Sequence, residues 1–259
     1  MTVVSEHPAM DRVKAVVLDL FNTLVKWEPS RLPTIDYHGR DTRSTVPWLV
    51  PKLKDAIDGA FDLDTWLEAY HEVTAEIAEE REREEIEITC HERFRRTLAR
   101  MKLRAAIDPG ELAEQLTRLH MAGIRSVTYA PTENCEAVRR IAKRFRLGLL
   151  SNFDDSRTGR EIVSDSGVGD LFEAIVISAD VGLRKPNPAI FRRMLEMLKL
   201  DAPEVLFVGD TAREDVLGAC RAAMPVVWIS DGNAALPEGI PQPNYTITKL
   251  PELCDLLDV

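Results

Sequence analysis

The stretch VKAVVLDLFNTLV, residues 13–25, decides how this chain folds. Its first half is apolar, rich in β-branched residues and shows little alternation, which predicts a strand buried on both faces of a parallel sheet. The run ends on Asp19, and ligands of open α/β sheets bind at the carboxyl ends of their strands. From this stretch alone Asp19 is either a functional carboxylate or the first residue of an Asx turn.

Similar strands, each associated with helical periodicity, recur in the second half of the chain. They are RLGLLSN (146–152), AIVISAD (174–180), VLFVGD (205–210) and PVVWIS (225–230), with a short YTIT strand (245–248) near the C-terminus. Strands that alternate with helices imply right-handed crossovers. We therefore expect an α/β fold, a Rossmann-like parallel sheet with helices on both faces.

The residues between the first strand and the rest show helical spacing instead. Residues 27–51 are rich in Pro, Gly, Asp and Arg and are predicted to form an irregular linker. The charge run EEREREEIE (79–87) is typical of a solvated helix face. We expect an inserted, all-helical cap domain at 27–125 and a core formed by 1–26 and 126–259. Its predicted helices cover residues 63–87, with the charge run as the tail of this first helix, then about 91–101, and 109–121.

Composition limits the classes of partner. A net charge of −10 argues against a nucleic-acid-binding surface. Without a run of 18 apolar residues, no membrane span is expected. The N-terminus has no basic segment before an apolar core, so no secretory signal is expected. Four scattered cysteines without a CxxC pair are typical of reduced thiols in a cytoplasmic protein. The oligomeric state stays open.

Polar residues follow four of the predicted strands, and the ends of parallel strands lie along one edge of a sheet. In chain order these segments are DLFNTL (19–24), Ser151-Asn152, Lys185-Pro186 and GDTARED (209–215). Taken in this order, they resemble the four motifs of the haloacid dehalogenase superfamily, whose members are mostly phosphatases. The resemblance covers essentially the whole chain.

The chemistry of these residues is consistent with the resemblance. Asp19 is a candidate carboxylate nucleophile that forms an acyl-phosphate. Asp210 and Asp215 would crowd it with like charge, and a hard, all-oxygen site of this kind suits Mg²⁺. The resemblance implies Asp19, the backbone carbonyl of Phe21 and Asp210 as metal ligands. Asp215 either holds a metal-bound water, orients Lys185 or is a plain carboxylate at a helix N-terminus.

Further residues are candidates for binding phosphate. The hydroxyl of Ser151 and the backbone N–H of Asn152 can donate to phosphoryl oxygens, or they belong to an ordinary turn. Lys185 is a point charge suited to phosphate and to neutralising the nucleophile, although a lysine before proline is more often a surface residue. Thr23 either fixes the nucleophile loop or caps a turn. Arg184 is predicted to be a surface residue.

The chain departs from the family at Phe21. Family phosphatases carry a second aspartate there, which protonates the leaving group and then activates water. We expect poor activity on alkyl phosphates, while acyl and aryl phosphates, whose leaving groups need no proton, suffer least. Glu28, Asp36 or His38 could supply the missing proton, and nothing in the sequence selects one.

Three functions follow from these residues. The first is a Mg²⁺-dependent phosphohydrolase acting on a small phosphorylated metabolite. The second is a 2-haloacid dehalogenase, because those relatives carry an aromatic residue at the position of Phe21. The resemblance also implies that they work without metal and lack a carboxylate at the position of Asp210. The third is a catalytically weak regulatory protein that keeps the fold and the metal site.

Overall fold

The computed structural model describes residues 10–57, 61–101, 107–230 and 235–259. In these residues the strands are β1 (Ala15–Leu18), β2 (Lys26–Trp27), β3 (Thr34–Tyr37), β4 (Arg40–Arg43), β5 (Thr128–Tyr129), β6 (Arg146–Ser151), β7 (Phe172–Ile177), β8 (Val205–Gly209), β9 (Val226–Ile229) and β10 (Tyr245–Ile247). The helices are α1 (Val46–Ala56), α2 (Leu63–Glu84), α3 (Cys90–Met101), α4 (Pro109–Ser126), α5 (Thr132–Ile141), α6 (Ser156–Asp165), α7 (Ser178–Val181), α8 (Pro188–Leu198), α9 (Gly218–Arg221) and α10 (Glu252–Leu256).

Six parallel strands form the central sheet, in the order β10-β9-β8-β1-β6-β7. All four residues of β1 are fully buried. Val16 and Leu18 face one apolar cluster with α5 and α6, whereas Ala15 and Val17 face a second cluster with α8. An uninterrupted apolar strand is what burial on both faces requires. The predicted α/β fold with helices on both faces is confirmed.

The helical insertion is also confirmed. Helices α1 to α4 pack around a third apolar cluster of their own, which includes Leu49, Trp66, Phe94 and Leu116. The chain enters and leaves this part next to the two-stranded β2–β5 ribbon, where Trp27 pairs with Thr128. The predicted boundaries of 27–125 stay a prediction.

Two helix starts follow the capping chemistry of the sequence. The side chain of Asp62 accepts the Thr65 N–H at 3.1 Å before α2. Asp108 accepts the N–H groups of Gly110 and Glu111 before α4. Such caps satisfy backbone donors that have no partner within the helix. Helix α4 extends past its predicted end to Ser126, whereas α2 stops at Glu84, within the charge run predicted as its tail.

The prediction of an irregular linker at 27–51, and of an insertion without strands, is wrong in two places. Strands β3 and β4 form an antiparallel hairpin, and His38 and Gly39 between them have φ of 54° and 74°. Positive φ at both loop residues is what a tight two-residue hairpin requires. Helix α1 then begins at Val46 despite Pro51 in its interior. Ile35 and Tyr37 of β3 alternate with polar residues and are half-buried against the insertion, but this alternation covers only four residues and all of β4 is exposed.

Two predictions on composition can be compared with the described residues. Among the described residues, no helix is both long and apolar enough to cross a membrane. All four cysteines carry free thiols.

Candidate active site

Three carboxylates meet at the carboxyl edge of the sheet. Asp19 directly follows β1, Asp210 directly follows β8, and Asp215 lies in a π-helical turn at Ala212–Leu217. One oxygen from each carboxylate lies within 4.8 Å of the other two. The neighbouring strands fix this arrangement, because the Asp19 N–H donates to the Val208 carbonyl at 2.9 Å. The structure thus brings together the three aspartates that the sequence analysis selects.

Lys185 connects two of these carboxylates. Its side chain is only 1% exposed, and Nζ donates to Asp19 Oδ1 and to Asp215 Oδ1, both at 2.6 Å. A third bond goes to the Leu150 carbonyl at 3.2 Å. An ammonium group has three N–H donors, so these contacts use all of them. Lys185 is therefore placed to neutralise Asp19 and to orient it.

The pKa values reflect a buried excess of negative charge. Burial raises the pKa of Asp19 to about 8, although Lys185 opposes this. Burial also raises the pKa of Asp210 and of Asp215. Burial lowers the pKa of Lys185, but Asp19 and Asp215 outweigh it, so that pKa lies above its ordinary value. One ammonium does not balance three carboxylates, and a divalent cation with oxygen ligands fits the remaining charge.

Both oxygens of Asp215 are already bound. Oδ1 accepts from Lys185, and Oδ2 accepts the Thr211 N–H at 2.8 Å. The carboxylate lies so close to Gly209 that a Cβ atom there would come within 2.3 Å of it. Only glycine permits this approach. Such π-helical turns are frequent at functional sites, and here one aims Asp215 at Lys185.

Three buried hydroxyl groups at this edge have no hydrogen-bond partner among the described residues: Ser151 Oγ, Thr23 Oγ1 and, directly after β9, Ser230 Oγ. Ser151 ends β6, which pairs with β1. A buried polar group without a partner costs stability. A ligand that accepts a hydrogen bond would satisfy the Ser151 hydroxyl, as expected for phosphate binding.

The side chain of Asn152 has a role that the sequence analysis missed. Its Nδ2 donates to the Lys185 carbonyl at 3.0 Å, and its Oδ1 accepts the Lys185 N–H at 2.8 Å. The sequence pattern indicated only the backbone N–H of Asn152 as a donor. The amide side chain holds the backbone of Lys185 against the end of β6.

The loop after Asp19 is held from another part of the chain. Asn134, at the start of α5, donates from Nδ2 to the carbonyls of Thr23 and Leu24 at 2.9 and 3.1 Å. The N–H groups of Leu24 and Val25 both donate to the Leu20 carbonyl at 2.9 Å. Sequence reasoning missed Asn134 because a single polar residue in an amphipathic helix carries no signal of a distant partner.

Phe21 lies two residues after Asp19, in the loop that follows β1. Its half-buried ring packs against Phe153, with centroids 5.0 Å apart and an interplanar angle of 43°. The aromatic side chain offers no proton to a leaving group. The site therefore contains a nucleophile candidate without the partner acid expected beside it.

The prediction that Arg184 is a surface residue is wrong. Its side chain is 19% exposed and pairs with Glu214 at 3.0 Å and with Glu87 at 3.5 Å. The interpretation of residues 79–87 as a solvated face is also wrong in part, because the side chain of Glu87 is buried and that of Arg81 is half-buried beside it. Both errors have one cause: the insertion packs directly on the loop before Lys185.

Comparison with known proteins agrees with this geometry. A family model of haloacid dehalogenase-like hydrolases matches residues 13–222. Pyrimidine 5'-nucleotidase YjjG of Escherichia coli is 35% identical over 155 residues, which are 60% of this chain and 66% of that protein. Glyceraldehyde 3-phosphate phosphatase of Pyrococcus abyssi is 34% identical over 88 residues, 34% of this chain and 37% of that protein. The matched segments thus span less than two thirds of these relatives.

Solved structures show the same fold. A 2-haloacid dehalogenase from Pseudomonas syringae has a TM-score of 0.69 at 22% identity, with 95% of this chain and 98% of that chain covered. The magnesium-bound putative hydrolase YfnB from Bacillus subtilis has a TM-score of 0.60 at 20% identity, with 96% and 100% covered. Because the family model spans most of the chain, this protein belongs to the haloacid dehalogenase-like hydrolases.

Proposed function

We propose that this hydrolase is a Mg²⁺-dependent phosphohydrolase of small phosphorylated metabolites that acts through an aspartyl-phosphate on Asp19. The observation that carries the proposal is the cluster of Asp19, Asp210 and Asp215, whose oxygens lie within 4.8 Å of one another beside a single ammonium. A phosphate monoester would be repelled by these carboxylates unless a cation lay between them. The phosphatase names of relatives such as the nucleotidase are further support.

The donor set indicates which residues would hold the cation. Asp19 and Asp210 offer carboxylate oxygens, and the backbone carbonyl of Phe21 follows Asp19 closely enough in the chain to join them. We assign Asp215 to the orientation of Lys185, because both of its oxygens are occupied by protein donors. When bound, Mg²⁺ supplies positive charge that offsets the carboxylates and the phosphoryl oxygens.

The reaction would begin with Asp19. Lys185 is bound to Oδ1, which leaves Oδ2 as the attacking atom. The new bond from Oδ2 to phosphorus forms as the bond from phosphorus to the leaving oxygen breaks. The Ser151 hydroxyl and the Asn152 N–H donate to the phosphoryl oxygens. Such positioning and charge stabilisation account for most of the catalysis in phosphoryl transfer. Water then attacks phosphorus, Asp19 leaves as a carboxylate, and the proton of the water passes to solvent.

Phe21 limits the range of substrates. No side chain at this position donates a proton to the departing oxygen, and general acid catalysis is worth about 10²–10⁴-fold. We therefore assign the site to phosphates with stable leaving groups, acyl and aryl phosphates above all. Alkyl phosphates would need a donor from elsewhere in the protein.

One observation favours a second candidate, a 2-haloacid dehalogenase. The Phe21–Phe153 pair places two aromatic rings in the loops that carry Asp19 and Asn152, and halide leaves without a proton. Asp210 opposes this alternative, because its carboxylate lies within 4.8 Å of the nucleophile and repels an anionic haloacid. A catalytically weak regulatory protein is the third possibility.

One set of assays separates these functions. Release of phosphate from p-nitrophenyl phosphate that needs Mg²⁺ and stops with EDTA supports the phosphohydrolase. Release of chloride from 2-chloropropionate that EDTA leaves unchanged would overturn it in favour of a dehalogenase. Neither activity, together with a Mg²⁺-dependent protein partner, would indicate the regulatory alternative. Running Asp19→Asn in parallel excludes a contaminating phosphatase.

A further inference from the structure

A short segment of the insertion lies against the loop that carries Lys185. We call residues 85–90, which run from the end of α2 to the first residue of α3, the docking segment. Its Glu87 N–H donates to the Gly182 carbonyl at 3.0 Å, and the Arg184 N–H donates to the Glu85 carbonyl at 3.1 Å. Ile86 and Leu183 between them form an antiparallel bridge. The insertion thus pairs, like a strand, with the three residues that precede Lys185.

The same segment also reaches the loop after β6. At its far end the Cys90 N–H donates to the Asp154 carbonyl at 2.9 Å. Arg81, one turn before the end of α2, contacts Asp154 Oδ2 at 3.2 Å. Two loops of the core, 151–155 and 182–185, are therefore bound by one stretch of the insertion.

Glu87 is the charged centre of this contact. Its side chain is 1% exposed and lies 2.8 Å from Arg81 Nη2 and 3.5 Å from Arg184 Nη1. Ser178 Oγ donates to Glu87 Oε2 at 2.5 Å and accepts the Phe153 N–H at 2.8 Å. The carboxylate is therefore connected to both loops, through Arg184 to one and through Ser178 to the other. Burial raises the pKa of Glu87, and the two guanidinium groups oppose this.

These contacts flank the pair of hydrogen bonds between Asn152 and the Lys185 backbone. Phe153 follows Asn152 directly, and Arg184 precedes Lys185 directly. A shift of either neighbour would move one partner of the Asn152–Lys185 pair. Because Lys185 uses every N–H of its ammonium group on fixed acceptors, a small displacement would break contacts to Asp19 or Asp215.

We propose that Glu87 is a positioning residue for catalysis: by binding Arg81, Arg184 and Ser178, it fixes the Asn152 and Lys185 loops when the insertion is docked on the core. The catalytic role of Lys185 in this inference rests on the proposed function. The fixation of the two loops does not, so the two can be tested separately.

The test uses the full-length chain with two matched variants. Glu87→Gln removes the buried charge and keeps the shape of the side chain. Glu85→Gln removes another ion pair of the same segment, the contact to Arg221 at 2.7 Å, without touching either loop through its side chain. Hydrogen–deuterium exchange of peptides covering 151–155 and 182–187 reports on the loops directly.

In Glu87→Gln we expect both loop peptides to exchange about tenfold faster, while Glu85→Gln exchanges like the wild type. With p-nitrophenyl phosphate, kcat of Glu87→Gln should fall about 10- to 100-fold, because misplacement of about 1 Å has such effects, and KM should stay within about twofold. Three results would each overturn the proposal. The loop peptides of Glu87→Gln could exchange at the wild-type rate, or Glu85→Gln could show the same changes as Glu87→Gln. Glu87→Gln could also have a lower melting temperature with an unchanged kcat.

A second variant covers the case in which Glu87→Gln does not fold. Ser178→Ala leaves every charge in place and removes only the hydroxyl between Glu87 and Phe153. This variant should increase the exchange rate of peptide 151–155, leave that of peptide 182–187 unchanged and lower kcat. An unchanged exchange rate in peptide 151–155 would show that Ser178 does not connect Glu87 to this loop. If the wild type releases no phosphate, the proposed function fails, and the exchange measurements alone decide on the positioning role.

Discussion

Introducing a carboxyl group at position 21 tests the proposal that this site lacks a general acid. In Phe21→Asp the new side chain replaces a ring that packs 5.0 Å from that of Phe153. The loop should survive, because the hydrogen bonds of Leu24 and Val25 to the Leu20 carbonyl involve backbone atoms only. Phe21→Asn is the matched control, since it loses the same ring but offers no titratable proton.

The magnitudes favour a measurable gain. General acid catalysis of about 10²–10⁴-fold corresponds to roughly 3–5 kcal/mol of transition-state stabilisation. Loss of the aromatic pair costs about 0.5–1.5 kcal/mol beyond the buried area, and this cost falls on stability in both variants. Carboxylates crowded around Asp19 raise the pKa of a new neighbour, which favours the protonated form that a general acid needs.

The decisive quantity is kcat/KM, because it depends only on steps up to departure of the first product. For an alkyl phosphate such as glycerol phosphate, we expect Phe21→Asp to exceed Phe21→Asn by at least about tenfold. For p-nitrophenyl phosphate the two should agree within about twofold, because nitrophenolate leaves without a proton. An alkyl-phosphate ratio near one in a folded Phe21→Asp would show that the missing acid is not what limits this site.

Three further perturbations address the nucleophile and its loop. Asp19→Asn should lower phosphate release at least about 10³-fold, since loss of a nucleophile has cost up to about 10⁶-fold elsewhere, with the circular dichroism spectrum unchanged; retained turnover would contradict the role of Asp19. The pKa of Asp19 in the fold, about 8, lies above its ordinary 3.8, so the folded chain binds the extra proton between these values and wild-type stability falls as pH rises through that window. With a chelator present, the melting temperature of Asp19→Asn minus that of the wild type should therefore increase from about pH 5 to about pH 8. A difference that stays constant over this range would contradict the raised pKa of Asp19. Asn134→Ala should cost about 1–3 kcal/mol in urea unfolding, because it leaves the buried carbonyls of Thr23 and Leu24 without their donor; a loss below about 0.5 kcal/mol would mean that water replaces the amide.

The parts of the fold that could be predicted are those whose signal is local. A strand buried on both faces must be apolar at every position, and β1 meets that condition over four consecutive residues. Asp19 and Asp210 could be placed at one edge because each directly follows such a strand. Parallel strands bring their carboxyl ends together whatever the length of chain between them.

The parts that could not be predicted depend on pairs of residues far apart in the chain. Asn152 and Lys185 are 33 positions apart, and Asn134 lies 111 positions from Thr23. A single polar residue has no period, so neither its partner nor its burial can be deduced from its neighbours. The β3–β4 hairpin was missed for a related reason: only Ile35 and Tyr37 of β3 are half-buried, and β4 has no apolar residue that would mark it as a strand.

The charge run at 79–87 contains both a local pattern and a long-range contact. The local pattern lies at its end. Residues 85–88 read Glu-Ile-Glu-Ile, a period-two alternation at the minimum length of a strand. The structure has Ile86 bridged to Leu183 in antiparallel pairing there, after α2 ends at Glu84. If α2 continued through Ile88, the Glu87 N–H would donate to a carbonyl within the helix, and the Gly182 carbonyl would lose this donor. The alternation therefore predicts extended chain, and the structure covers both of its faces: Ile86 and Ile88 pack with Val73 and Ile77, whereas Glu87 on the other face lies against Arg81 and Arg184.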